Sequence, residues 1–217
     1  MKTFLDALKE KIVVFDGAMG TQIQGANLTM EEDYWGQENC SEILNLSRPD
    51  FIRNVHMKYL AAGADAVETN TFGGSVLTLG EFGLEAKTFE INKRACELAH
   101  EAIGQFSHDG RKRFVVGSVG PGTKLPSLGH IGYDSLEASF TTQMEGLIAG
   151  QADVILIETA QDTLQIKAAV NAAKIAFASA LHVDPINTSA AELLRAYRIM
   201  MRTIHPDRSP NNGLTRE

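Results

Sequence analysis

Two spacings of apolar residues alternate along the first 177 residues. Short runs rich in Val, Ile and Phe are each followed by a longer segment whose apolar residues recur every three or four positions. An amphipathic helix over 2–10 leads into a first strand over 11–16, which ends Val13-Val14-Phe15-Asp16. A polar loop over 22–48 comes next, and a loop of that length in a compact domain is usually a lid or a binding segment. Pro49 opens a helix, with Ser47 as its expected cap, and Phe51, Ile52, Val55, Tyr59 and Leu60 keep helical spacing until Gly63. The same reading predicts strands over 64–68, 113–119 and 153–158 and helices over 85–105, 134–149 and 162–177.

Short apolar strands alternating with amphipathic helices imply β/α units and a parallel sheet. The pattern also repeats. Ala62-Gly63-Ala64-Asp65-Ala66-Val67-Glu68-Thr69 is echoed by Gly150-Gln151-Ala152-Asp153-Val154-Ile155-Leu156-Ile157-Glu158-Thr159. In both, a helix ends at Gly, Ala-Asp opens a strand and Glu-Thr closes it. That suits the units of a (β/α)₈ barrel, whose strand ends converge on one face. A doubly wound open sheet is the rival, but its Gly-x-Gly-x-x-Gly phosphate loop is missing. The expected fold is therefore α/β, with parallel (β/α) units of a TIM-type barrel, about four of the eight strands, and a short helical tail. Four strands do not close a barrel, so either half a barrel or an open sheet is expected.

Composition narrows the partners. The net charge of −7 over 217 residues makes nucleic acid and acidic membranes poor partners. No apolar run approaches the ~20 residues of a membrane span. The first residues, Met1-Lys2-Thr3-Phe4-Leu5-Asp6, lack a secretory core, and two cysteines give no disulfide framework. A cytoplasmic setting is the expectation.

Asp16, Glu68 and Glu158 finish strands, with Thr69, Asn70, Thr71 and Thr159 beside them, and glycines break the chain just after Asp16. In a parallel sheet these acids share one mouth. Convergent carboxylates beside exposed backbone N–H groups suit a zwitterion, the acids taking an ammonium and the glycine turn a carboxylate.

The motifs Asp16-Gly17-Ala18-Met19-Gly20-Thr21, Glu68-Thr69-Asn70-Thr71-Phe72-Gly73, Gly117-Ser118-Val119-Gly120-Pro121-Gly122 and Ile157-Glu158-Thr159-Ala160-Gln161-Asp162 together resemble the homocysteine-binding (homocysteine S-methyltransferase) domain, in the form found in cobalamin-dependent methionine synthases. The resemblance runs from residue 1 to about 177. It implies a (β/α)₈ barrel, homocysteine as substrate and methyl transfer to its thiol in methionine biosynthesis. By the same resemblance Asp16 and Glu158 hold the amino group, and backbone N–H groups of Gly17, Ala18 and Met19 hold the carboxylate. Glu68, Thr69, Asn70 and Thr159 complete the expected pocket.

The family activates the thiol on zinc held by three cysteines from the second half of the barrel, and methylcobalamin is the methyl donor in this form. Here Cys40 falls in the early loop and Cys96 in a helix. Cys96 and His100, spaced i, i+4, read as helix packing. The expectation is a chain truncated before the zinc cysteines, with no metal ligands and no catalytic residues of its own, able at most to bind substrate. Open strand edges would also invite self-association.

From about Ala178 the pattern changes, and the domains are expected at 1–177 and 178–217. The tail carries +1 against −8 for the rest. Ser189-Ala190-Ala191-Glu192 is a capping box. Leu193, Tyr197, Met200 and Ile204 form an apolar stripe, and Arg195, Arg198 and Arg202 a basic face. With the upstream Leu181-His182-Val183-Asp184-Pro185 and the loop His205-Pro206-Asp207, this segment resembles part of a J-domain. That resemblance implies a co-chaperone acting on a heat-shock ATPase chaperone through these Arg, His, Pro and Asp residues. A chimeric reading frame without function is the remaining alternative.

Overall fold

The computed structural model describes residues 3–182 and 184. The tail elements assigned above, including Arg195, Arg198, Arg202, His205, Pro206 and Asp207, lie outside the described residues. Within them the order is α1 (Phe4–Glu10), α2 (Met19–Gln24), α3 (Leu44–Ser47), α4 (Pro49–Ala61), β1 (Ala66–Glu68), α5 (Val76–Gly80), α6 (Thr88–Gly104), β2 (Phe114–Val119), α7 (Tyr133–Ala149), β3 (Val154–Ile157) and α8 (Thr163–Ala180).

The three strands form one sheet in sequence order, and both neighbouring pairs are parallel. Phe15 adds a parallel bridge to Ala66 on the far side of β1. The sheet therefore winds in one direction without the reversal a doubly wound fold requires. This is the α/β architecture expected from the sequence.

Alternation along the strands sorts two cores. Val67, Val115, Val119, Ile155 and Ile157 face the helical layer, where α6 packs on α7 and α7 on α8. Ala66, Phe114, Val116, Val154 and Leu156 face the opposite side with Val13 and Phe15. The bottom of that inner face is plugged by α1. A reciprocal capping box between Thr3 and Asp6 fixes its start, and Phe4 meets Phe15 and Phe114 edge-on at centroid distances of 6.2 and 5.3 Å. All four residues of β3 are only half-buried, in contrast to the wholly buried β2.

The sequence repeat is a structural one. Val14 N donates to the Asp65 carboxylate (3.2 Å) while Asp65 N donates to Val14 O (2.7 Å). Val115 N donates to the Asp153 carboxylate (2.9 Å) while Asp153 N donates to Val115 O (2.8 Å). Each Asp thus clasps the backbone of the preceding strand. Burial raises the Asp65 pKa, but Lys11 and Arg111 outweigh it and hold the carboxyl at about 2.

Several expectations need correction. The first strand, expected over 11–16, is reduced to the single Phe15 bridge, because Val14 N is taken by a side-chain carboxylate rather than a strand carbonyl. Ser47 does not cap α4. Its hydroxyl donates to Asp33 O and Ile43 O, and Arg48 occupies the cap position with its side chain turned to Asp33 and Asp50 rather than to the helix end. The segment 22–48 is held in place: Asp33 receives Thr29 N and Arg48, and Cys40 and Ile43 are buried against Leu79, Leu84 and Ile91.

Candidate functional site

A cavity of about 480 Å³ opens at the carboxyl ends of the strands. Period-two alternation brings its acids together. Glu68 shares the inner face with Ala66, Ser118 with Phe114 and Val116, and Glu158 with Val154 and Leu156. Asp16, Gly17, Ala18, Met19, Glu68, Thr69, Asn70 and Glu158, all expected from the sequence, line the cavity. Thr159 is not among the lining residues. It is exposed and in the left-handed region (φ 59°), turning away as the chain enters the next loop.

The acids are held in different ways. Both Asp16 carboxylate oxygens accept from Glu68 N at 3.1 Å. Burial pushes the Asp16 pKa up to about 7, the Glu68 N–H pulls it back in part, and the Glu68 charge adds to the rise. Glu68 is also raised, by burial and then by the Glu158 charge. Glu158 accepts from the Ser118 hydroxyl at 2.5 Å. None of the lining residues is Lys, Arg or His, so the cavity gathers negative charge without a protein cation to balance it.

Directly after Asp16 the chain turns at Gly17 and enters α2, whose N-cap residue Ala18 provides no side-chain cap. A side chain at Gly17 would not fit, since a Cβ there would stand 2.9 Å from the Tyr59 ring. The Tyr59 hydroxyl donates to Ala18 O (3.1 Å) and holds the turn down. A turn with bare N–H groups is a place for a carboxylate.

Sequence reasoning missed Gly20, Ser41, Glu42, Phe72 and Ser118 as lining residues. Glu42 is the most consequential. It comes from the 22–48 segment, is nearly fully buried, and accepts from Gly73 N at 2.7 Å. Burial raises its pKa, with the Gly73 N–H opposing. A Cβ on residue 73 would lie 2.8 Å from Glu42 Oε1, so this close approach requires glycine. The available signal was the length of that loop.

Neither thiol belongs to the site. Cys40 Sγ lies 4.0 Å from Glu42, and burial followed by that charge pushes its pKa up to about 11. Cys96 donates to Leu147 O (3.6 Å), His100 contacts Gln151 O (2.9 Å), and burial drives the Cys96 thiol far above its usual range. Among the described residues no group of three or more His, Cys, Asp or Glu side chains is placed to hold a metal ion. These residues do not fit a zinc–thiolate centre. No helix among them is long and apolar enough to cross a membrane.

The chain is 46% identical over 166 residues to the methionine synthase of Mycobacterium tuberculosis, an alignment spanning 76% of this chain and 14% of that protein. It is 44% identical over 182 residues to the Mycobacterium leprae methionine synthase, spanning 84% of this chain and 15% of that protein. The chain thus spans about one seventh of the length of these curated relatives. Among solved structures, the homocysteine methyltransferase MmuM from Escherichia coli superposes in its metallated form with a TM-score of 0.64 at 23% identity, covering 79% of this chain and 62% of that one. Its oxidized form gives 0.63 at 24%, covering 78% and 60%. The model of the homocysteine S-methyltransferase family matches residues 13–203, from just before the Phe15 bridge to beyond α8. The chain belongs to the homocysteine S-methyltransferase family.

Proposed function

We propose that the cavity binds homocysteine as its zwitterion, the ammonium among Asp16, Glu158 and Glu68 and the carboxylate at the Gly17–Met19 turn. One observation carries this reading: four carboxylates, those of Asp16, Glu42, Glu68 and Glu158, meet the uncapped α2 turn in a single cavity lined by no basic side chain. An ammonium neutralises that charge at short range, where partial burial makes the attraction strong. Thr69, Asn70 and Phe72 form the adjoining wall.

The reaction served is methyl transfer to the homocysteine thiol. Such a thiol needs activation, and a metal ion supplies it by lowering the thiol pKa. The described residues of this chain hold the amino-acid end of the substrate and carry no such centre. Binding without turnover is therefore the activity we assign to this chain by itself, with zinc and methylcobalamin chemistry belonging to the family. The half-buried β3, paired on one side only among the described residues, is the edge through which copies would associate. A reducing, cytoplasmic setting belongs to the same reading and accords with Cys40 and Cys96 being unpaired thiols.

Calorimetric titration with homocysteine tests the reading, with N-acetylhomocysteine and the decarboxylated amine as comparators. Homocysteine should bind, and removing either charged end should weaken binding at least about tenfold, as for loss of a charge-assisted hydrogen bond. Equal affinity for N-acetylhomocysteine would refute it.

A further inference from the structure

The turn following β1 is held from behind by buried carboxamides on three helices. Asn45 Nδ2, from α3, donates to Asn70 O at 2.8 Å. Asn92 Nδ2, from α6, donates to Gly74 O at 2.7 Å, and Gln143 Nε2, from α7, donates to Thr71 O at 2.8 Å. All three side chains are fully buried. Their orientation is not interchangeable: each faces a backbone carbonyl, which can only accept, so the NH₂ must point at the turn. The consequence is unusual. Asn45 Oδ1, Asn92 Oδ1 and Gln143 Oε1 are all buried without a hydrogen-bond partner among the described residues.

A buried acceptor left unpaired is a cost that folds normally avoid. Three of them surround one turn, each with its amide N–H committed to a turn carbonyl. Gln143 is the pivotal member, because Thr71 ties the ends of two strands together. The Thr71 hydroxyl donates to Ser118 O (2.7 Å), Gln143 Nε2 itself reaches to within 3.5 Å of Ser118 O, and the Ser118 hydroxyl holds Glu158.

We propose that Gln143, which lies outside the cavity lining, is a positioning residue of the substrate site: by holding Thr71 it fixes the ends of β1 and β2 and, through Ser118, the placement of Glu158. The proposal rests on the reading that the cavity takes homocysteine. Gln143 acts on that substrate only through the groups it aligns, and misplacement of such groups by a fraction of an ångström weakens recognition severely.

The test uses Gln143→Met and Gln143→Glu in the full chain, with homocysteine affinity by calorimetry and the melting temperature of each protein. Gln143→Met keeps the side-chain length and removes both the donor and the orphaned oxygen. It should melt within a few degrees of the unaltered chain yet bind homocysteine about tenfold more weakly. Gln143→Glu can donate to Thr71 O only while its carboxyl is protonated. Its affinity relative to the unaltered chain, measured at the same pH, should therefore recover as the pH is lowered. Unchanged affinity in folded Gln143→Met would overturn the proposal and leave the binding reading intact. Affinity and melting temperature falling together in both variants, with no recovery at low pH, would reduce Gln143 to a packing residue. Absence of homocysteine binding by the unaltered chain would remove the functional reading, and this proposal with it.

Discussion

Replacing Asp16 with Asn separates what the site does for binding from what it does to the fold. The Asp16 carboxyl has a pKa of about 7 in the folded chain against an ordinary value of 3.8. The folded state therefore holds its proton more tightly than the unfolded state does. The proton-linked stability is complete below about pH 3.8 and is lost as the pH rises to about 7. At about 1.4 kcal/mol per pH unit that interval is worth at most about 4 kcal/mol. The cavity opens to solvent, which screens the charge, so about 2 kcal/mol is the expectation. Asn keeps an acceptor for Glu68 N and carries no charge. Asp16→Asn should thus be more stable than the unaltered chain by about 2 kcal/mol near pH 8, by about half that near pH 5.5, and by nothing near pH 4. Urea denaturation across this range measures the difference, while calorimetry on the same protein should show homocysteine binding reduced about a hundredfold. A variant destabilised equally at every pH would show that Asp16 is a structural hydrogen-bond partner and not a charge held for a ligand.

Other changes reach different parts of the argument. His56 is fully buried, neither ring nitrogen has a hydrogen-bond partner among the described residues, and burial lowers its pKa to about 4 from 6.5. Its contribution is present above about pH 6.5 and is lost as the pH falls towards 4, so His56→Leu should remove up to about 3 kcal/mol of acid-side instability in melts below pH 5. Gly73→Ala, which places a Cβ 2.8 Å from Glu42, should cost about 1–3 kcal/mol in denaturant titration and weaken homocysteine binding. Substituting Lys for Leu156, on the inner face of the half-buried edge strand, should reduce concentration-dependent sedimentation, and an unchanged sedimentation profile would place association elsewhere. With zinc and methylcobalamin supplied, this chain alone should not methylate homocysteine, and measurable turnover would overturn that assignment.

What could be read from the sequence follows from what is local. Glu68 and Glu158 end apolar runs, so their place at the mouth was visible from the strand pattern, as was the repeated Ala-Asp opening. Ser118 was hidden inside the run Val115-Val116-Gly117-Ser118-Val119, where only strand direction and register show that it meets Glu158. Glu42 was hidden because the segment carrying it has no period, and its partner Gly73 is 31 positions away. The strand expected over 11–16 shrinks to one bridge, since apolar residues such as Val13, Val14 and Phe15 do not reveal that a side chain will take a backbone donor. Gln143 did leave a trace. It sits within the buried stripe of Leu136, Phe140, Met144 and Leu147 on α7, where an apolar residue is the norm.

The paired Asp65 and Asp153 clasps carry a consequence for how the strands are aligned. In both, the carboxylate of the residue that opens a strand takes a backbone N–H from the segment made before it. Each grip combines a main-chain and a side-chain contact, and a slip of one residue would turn a strand's whole inner face outward. The carboxylate therefore indexes each strand against its predecessor. Register is thereby specified locally, each β/α unit being aligned on its neighbour by contacts that lie within the two of them.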